Sequence, residues 1–260
     1  MKQTILKSSR FHDSGRLDAK YYLSPGLMAA NAIKEFKENG GKCISLGGES
    51  GIANIPRLNR FKSAYAAENE PKFPYLRPYD VFSYLPTATR FLSIPRTKNI
   101  DSYRLKPGVI LQTCSGRNLG PLTIVDEYLS QFVVSSDMLR IEIDDEKLRF
   151  YLLTFLKTEI GQNLLKRGKT GSVIDHLSPS HVESLDVPLL SDDKIYRISE
   201  LMKTAFSLRE QARLVLSKEI SEFSDSLPSY QRLKPLKNGW EITALDLFDR
   251  LDAAYYDPRH

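Results

Sequence analysis

The spacing of apolar residues changes along the chain, and each change predicts a different element. From Pro25 to Lys37, the residues Leu27, Met28, Ala30, Ile33 and Phe36 recur near helical spacing, and Gly40-Gly41 supplies a stop, so this stretch predicts a short helix. From Cys43 to about Ile143 the texture turns to short apolar runs punctuated by glycine and proline: Asp80 to Leu85, Val109 to Thr113, Leu122 to Val125, Phe132 to Val134 and Met138 to Ile143. Such runs predict strands in an irregular β-rich region. Helical spacing returns from Glu146 to Leu165, where Leu148, Tyr151, Leu152, Phe155, Leu156, Ile160 and Leu164 form one stripe.

Beyond Pro188, the stretch from Asp192 to about Ser226 has no glycine or proline and predicts one long helix. Ser191 is a suitable N-cap, and Asp192 and Asp193 suit the positive end of the helix dipole. Roughly 34 residues at about 1.5 Å each would span about 50 Å. Ile195, Ile198, Met202, Ala205, Ala212, Leu216 and Phe223 approximate a heptad seam, interrupted by Arg209 and Glu219. Two readings stand: a helix packed along its own domain, and a spacer that seeks a partner. A polar stretch from Leu227 to Asn238, with Pro228 and Pro235, reads as a linker.

One phrase occurs twice. Arg16-Leu17-Asp18-Ala19-Lys20-Tyr21-Tyr22 returns as Arg250-Leu251-Asp252-Ala253-Ala254-Tyr255-Tyr256, identical at six of seven positions and offset by 234 residues. That period is too long for a solenoid and points to duplication of a whole unit. The phrase itself reads as a structural joint of aromatic residues and an Arg–Asp pair (Arg16, Asp18, Tyr21, Tyr22; Arg250, Asp252, Tyr255, Tyr256).

With 41% apolar residues, the 260-residue chain can bury a core, which excludes wholesale disorder. Cys43 and Cys114 are its two cysteines, consistent with a reducing compartment and no disulfide framework. The opening Met1 to Lys7 lacks a signal-peptide core, and no run reaches the roughly 18 apolar residues of a membrane span. The expectation is a soluble, cytoplasmic protein that does not engage a membrane.

Catalytic motifs fail their context tests. Gly168-Lys169-Thr170 ends like a phosphate-binding loop, but position 163 is asparagine where that motif needs glycine. Asp145-Glu146-Lys147, with Asp126 as a second carboxylate, has the outline of a metal-dependent nuclease element, yet it sits in an acidic run at a strand-to-helix junction. The histidines at 12, 176, 181 and 260 lack partners at zinc spacing. No catalytic or metal-binding residue is assigned.

The basic groups fall mainly in the β-rich region and its loops. Arg57, Arg60 and Lys62 follow a glycine-rich stretch, and Arg90 precedes Arg96 and Lys98. Arg117-Asn118 occupies a turn, and Lys166, Arg167 and Lys169 form the tightest cluster, with Tyr65, Tyr75 and Tyr79 elsewhere in the region. Arginine and lysine read guanine edges, asparagine reads adenine, and all position phosphates. These nine residues (Arg57, Arg60, Lys62, Arg90, Arg117, Asn118, Lys166, Arg167 and Lys169) are the candidate DNA contacts; the bland alternative for each is an ordinary charged surface.

Three sets of residues carry a resemblance. The doubled phrase at Arg16 and Arg250 resembles the opening of each half of the DNA-specificity subunits of type I restriction–modification systems. Leu105 to Leu111, through Ser115-Gly116 and Gly120, is similar to that family's central strand and turn. Tyr151 to Leu153, Ile160-Gly161-Gln162, Gly171 and Leu177 to Pro188 resemble its tail before the long helix. The resemblance implies an α+β fold: an irregular, mixed, β-rich target-recognition domain with flanking helices over residues 1–190. A long spacer helix over 191–226 would follow, then a linker and the start of a second repeat over 227–260. It implies a non-catalytic subunit that reads one half of a split double-stranded DNA target, and long helices that set half-site spacing. Partners would be methyltransferase subunits, indirectly the restriction and translocation subunit, and, through the helix, a second copy of the chain. No cofactor is expected on this chain; S-adenosylmethionine, ATP and magnesium belong to the partner subunits. The alternatives are an interaction scaffold that no longer reads DNA, and the nuclease built on Asp126, Asp145 and Lys147.

Overall fold

A computed structural model describes residues 24–58, 62–115, 119–167 and 176–226. In chain order the elements are α1 (Pro25–Glu38), β1 (Lys42–Ser45), β2 (Lys72–Leu76), β3 (Arg90–Ser93), β4 (Ile110–Thr113), β5 (Leu122–Ile124) and α2 (Glu127–Ser130). They continue with β6 (Val133–Val134), β7 (Met138–Ile141), α3 (Glu146–Lys157), α4 (Glu159–Arg167), α5 (Pro179–Glu183), β8 (Asp186–Leu189) and α6 (Asp192–Ser226). The fold is α+β. The chain divides into two compact units, Met1–Arg213 and Leu214–His260.

The first unit is built on two small sheets and a clasp. In the central sheet, β4 runs antiparallel to both β5 and β7. Alternate side chains of this sheet enter different cores. Ile110, Leu122, Ile124, Leu139 and Ile141 pack with α3, α4 and α1, whereas Leu111, Val125 and Met138 pack with Leu76, Val81, Leu129 and Phe132. The sheet is thus buried on both faces, which is why its strands read as continuous apolar runs. The second sheet sets β2 antiparallel to β3 and parallel to β6, over a third core of Tyr75, Leu92, Ile100, Tyr103 and Val133. The clasp pairs β1 with β8, from Lys42 opposite Leu189 to Ser45 opposite Asp186.

Local signals explain the helix ends. The Ser24 hydroxyl accepts from the Leu27 N–H (3.2 Å), Pro25 opens α1, and Gly40 at φ +83° closes it. The Ser191 carbonyl accepts from Ile195 N–H (2.9 Å) at the start of α6.

Two sequence expectations are corrected. The stripe from Glu146 to Leu165 is two helices, because Thr158 takes an extended conformation between them. Its hydroxyl donates to Phe155 O (2.6 Å) and accepts from Gly161 N–H (3.1 Å), so one residue caps both ends of the break. Gly161 allows the close turn: a Cβ there would lie 2.2 Å from Phe155 O. The run from Asp80 to Leu85 is a single 3-10 turn at Asp80–Phe82 rather than a strand. The Asp80 carboxylate accepts from the Arg77 backbone N–H (2.9 Å) and from its Nε (3.0 Å), which folds the chain back on itself.

The heptad seam of α6 divides as well. Within the first unit, Ile195 and Ser199 are buried, and Ile198, Met202 and Phe206 pack partly against the main core. Ala205 is exposed, and the same face continues instead through half-buried Arg209 to fully buried Arg213. Arg209 therefore does not interrupt a seam but belongs to the packing face. In the second unit, Leu214, Val215, Ile220 and Phe223 are exposed. Among the described residues, no helix is long and apolar enough to cross a membrane.

Candidate nucleic-acid interface

Of the nine candidate contacts, Arg57, Lys62, Arg90, Lys166 and Arg167 are described. Arg60, Arg117, Asn118 and Lys169 lie outside the described residues, as do Arg16, Asp18, Tyr21, Tyr22, Arg250, Asp252, Tyr255 and Tyr256.

Arg90 sits at the start of β3, exposed, with its guanidinium donating to the Tyr65 hydroxyl (3.0 Å) and lying 5.4 Å from that ring's centre. It has company that the sequence did not single out. Arg77 lies over Tyr79 (4.4 Å), Lys72 over Phe91 (5.3 Å) and Arg104 over Phe73 (5.0 Å). Cations paired with aromatic faces remain fully charged while losing side-chain freedom, which suits polyanion recognition. Two arginines of this region are also committed to carboxylates: Arg77 to Asp80 (3.0 Å), and Arg96 to Glu70 (2.6 Å). The Arg96 guanidinium and the Ser93 hydroxyl hold the Glu70 carboxyl down at about 2.

Arg57 lines a cleft of about 270 Å³ beside Met138 and Leu139 of β7 in the central sheet. The cleft is shaped by a backbone bridge between Ser115 and His176, whose side chains also meet, Oγ to Nδ1, at 2.9 Å. Asp137 lines it too, and its carboxylate accepts from the Ser135 hydroxyl (3.2 Å). Burial pushes the Tyr75 hydroxyl up, opposed by hydrogen bonding to Ser135, and both Arg90 and Asp137 act on the same ring. Tyr75 and Ser135 are themselves buried, beneath the surface that carries Arg90 and Tyr65. The exposed Arg57 guanidinium lies 3.9 Å from Glu183, too far for a strong pair.

Lys166 and Arg167 end α4. Lys166 closes on Gly120, where a Cβ would meet its Cε at 3.0 Å, and Gln162 donates to Gly120 O (2.9 Å). Arg167 packs against Gly26 of α1 and lines a separate cavity with His181 and Asp186. Lys62 is exposed, and no described contact groups it with the others.

The acidic candidates have structural duties. Asp126 caps α2 by accepting from Leu129 N–H (2.7 Å) and pairs with Arg213 (2.7 Å). Asp145 caps α3 by accepting from Leu148 N–H (2.9 Å). Among the described residues, no three His, Cys, Asp or Glu side chains gather as a metal site.

No family model matches the chain, and no curated protein matches it. Solved structures do show likeness. One is a chain of a type I restriction–modification complex, 17% identical with a TM-score of 0.46, matching 84% of this chain and 53% of that one. Another is the HsdS subunit from Thermoanaerobacter tengcongensis, 18% identical with a TM-score of 0.42, over 81% of this chain and 49% of that one. A third is the type IIG restriction endonuclease BpuSI, 13% identical with a TM-score of 0.45, over 76% and 30% respectively. The chain spans about half the length of the first two.

Proposed function

We propose that this chain reads one half of a split double-stranded DNA target as a specificity subunit, or half-subunit, of a type I restriction–modification enzyme acting in the cytoplasm. The observation that carries this reading is the set of exposed cations paired with aromatic rings, Arg90 on Tyr65, Lys72 on Phe91 and Arg104 on Phe73, on a body whose acidic candidates are spent on caps and an ion pair. The order of the sequence motifs, from the doubled Arg-Leu-Asp-Ala phrase to the tail before α6, supports the same reading. Chemistry would then reside on partners: methyltransferase subunits that bind S-adenosylmethionine, and a restriction subunit that uses ATP and magnesium. This chain would supply sequence choice through Arg57, Arg60, Lys62, Arg90, Arg117, Asn118, Lys166, Arg167 and Lys169. The exposed apolar residues of α6 would supply the docking surface for those partners or for a second copy.

Selection from randomised duplex DNA, with the chain and its partner methyltransferase, tests this. A short motif should be enriched, each good bidentate base contact giving about 1–3 kcal/mol of discrimination. Binding should fall steeply with salt as counterions are released. Stable capture of the methyltransferase with no enriched motif would leave only the scaffold reading.

A further inference from the structure

β5 is an edge strand, and cations gather along it from one end to the other. At its start, Lys166 closes on Gly120. Lys157, the last residue of α3, turns its ammonium onto Leu122 O (2.9 Å) and lies 5.9 Å from the Phe206 ring of α6. Beyond Phe206, α6 brings Arg209 and then Arg213, which pairs with Asp126 just past the end of β5.

The carboxylates nearby are engaged elsewhere. Asp126 serves Arg213 and the α2 cap, and the Glu210 carboxylate accepts from Glu127 N–H (2.7 Å). Among the described residues, neither Lys157 nor Arg209 has an ion-pair partner. Burial, then the neighbouring Arg209, lowers the proton affinity of Lys157. Burial, then Arg213, does the same to Arg209, with Asp126 and Tyr84 acting in the opposite sense. Two like charges partly withdrawn from water repel each other, and an arriving anion reverses the sign of that energy. Lys157 stands at Phe206, and Arg209 follows three residues later on the same helix; a fork and a point charge so placed suit a phosphate, which can take two donors from the one and an ammonium from the other.

We propose that Lys157 and Arg209 together hold one backbone phosphate of the bound duplex, carrying the contact from the loops onto the long helix. This rests on the DNA-reading function proposed above. The phosphate position continues the line from Lys166 at Gly120 along β5.

Lys157→Gln, Arg209→Gln and the double variant, each with the partner methyltransferase, test it by salt titration of DNA binding. Each single variant should weaken binding to the enriched motif and to unrelated duplex by the same factor. Each should also reduce the slope of log affinity against log salt by about 1. The double variant should lose no more slope than a single one, because both groups serve one phosphate, and the enriched motif should not change. The salt slope is the deciding readout, because losing only the packing of half-buried Arg209 would lower stability without changing the number of counterions released. A steep wild-type slope that persists in all three variants overturns this assignment and leaves the DNA-reading function intact. Failure of the wild type to bind DNA overturns both. Weakened methyltransferase capture with an unchanged DNA slope overturns it in favour of an acidic protein partner.

Discussion

Replacing Arg213 with methionine should destabilise the first unit more than any other single substitution on α6. The arginine is 1% exposed and the paired Asp126 side chain 6%. Its Nη1 meets Asp126 Oδ2 at 2.7 Å, its Nε donates to Tyr84 O at 2.8 Å, and its Nη2 donates to Ser83 O at 3.3 Å. Methionine fills much of the volume, so the loss is electrostatic: a carboxylate is left buried without its counter-ion. Breaking a buried pair from one side costs about 3–5 kcal/mol. At about 2–4 °C per kcal/mol for a unit of this size, the melting temperature should fall by roughly 6–20 °C. Asp126→Asn isolates the charge, because asparagine keeps the α2 cap that Asp126 Oδ1 makes to Leu129 N–H. The double variant, with neither charge, should recover a large part of the loss, and denaturant unfolding of all four proteins gives the coupling energy. A single-variant loss below about 1 kcal/mol would refute the reasoning, placing the pair among solvent-screened contacts. A double variant no more stable than Arg213→Met would refute it equally.

Other perturbations give separate checks. Gly161→Ala forces a Cβ to within 2.2 Å of Phe155 O and 2.7 Å of Leu156 Cα, both backbone atoms, and should cost about 1–3 kcal/mol in denaturant unfolding. Glu70, held at about 2 rather than its usual 4.5, stabilises the fold fully above 4.5 and loses that contribution as pH falls toward 2. Acid unfolding followed by circular dichroism should therefore lose more stability across that window in the wild type than in Glu70→Gln. Arg90→Lys keeps the charge but loses the fork and the stack on Tyr65. It should relax selection at one base position by about 1–3 kcal/mol while leaving the salt slope unchanged.

The helix ends were legible because their signals are local. Pro25 and Gly40 bracket α1, and Ser191 with an unbroken run of helix formers defines α6. The strands of the clasp were not legible: β1 and β8 are four residues each, and each exists because the other lies opposite it. Thr158 looked like any polar position on an amphipathic stripe. The signal for the break was Gly161, three residues on, in a place where a helix interior disfavours glycine. Arg90 was found as a candidate contact, but Lys72, Arg77 and Arg104 were not, since their aromatic partners become visible only once strands and turns fold. Arg209 and Arg213 were hidden by a convention, the expectation that charge on a helix faces water. Their spacing of four, in line with Ile195, Met202 and Phe206, was the available clue.

The β1–β8 clasp has a consequence for heredity. The chain leaves the clasp at Ser45 and returns to it at Asp186, and those two residues stand opposite each other. Everything between them forms a closed excursion from one point of the framework. Crossovers in the coding sequence at the two clasp strands would exchange that excursion whole, with its cleft, loops and arginine–aromatic surface, and leave α1 in place. If that segment reads DNA as proposed, a lineage acquires a new target in one genetic event, provided the incoming segment keeps Asp126 for Arg213.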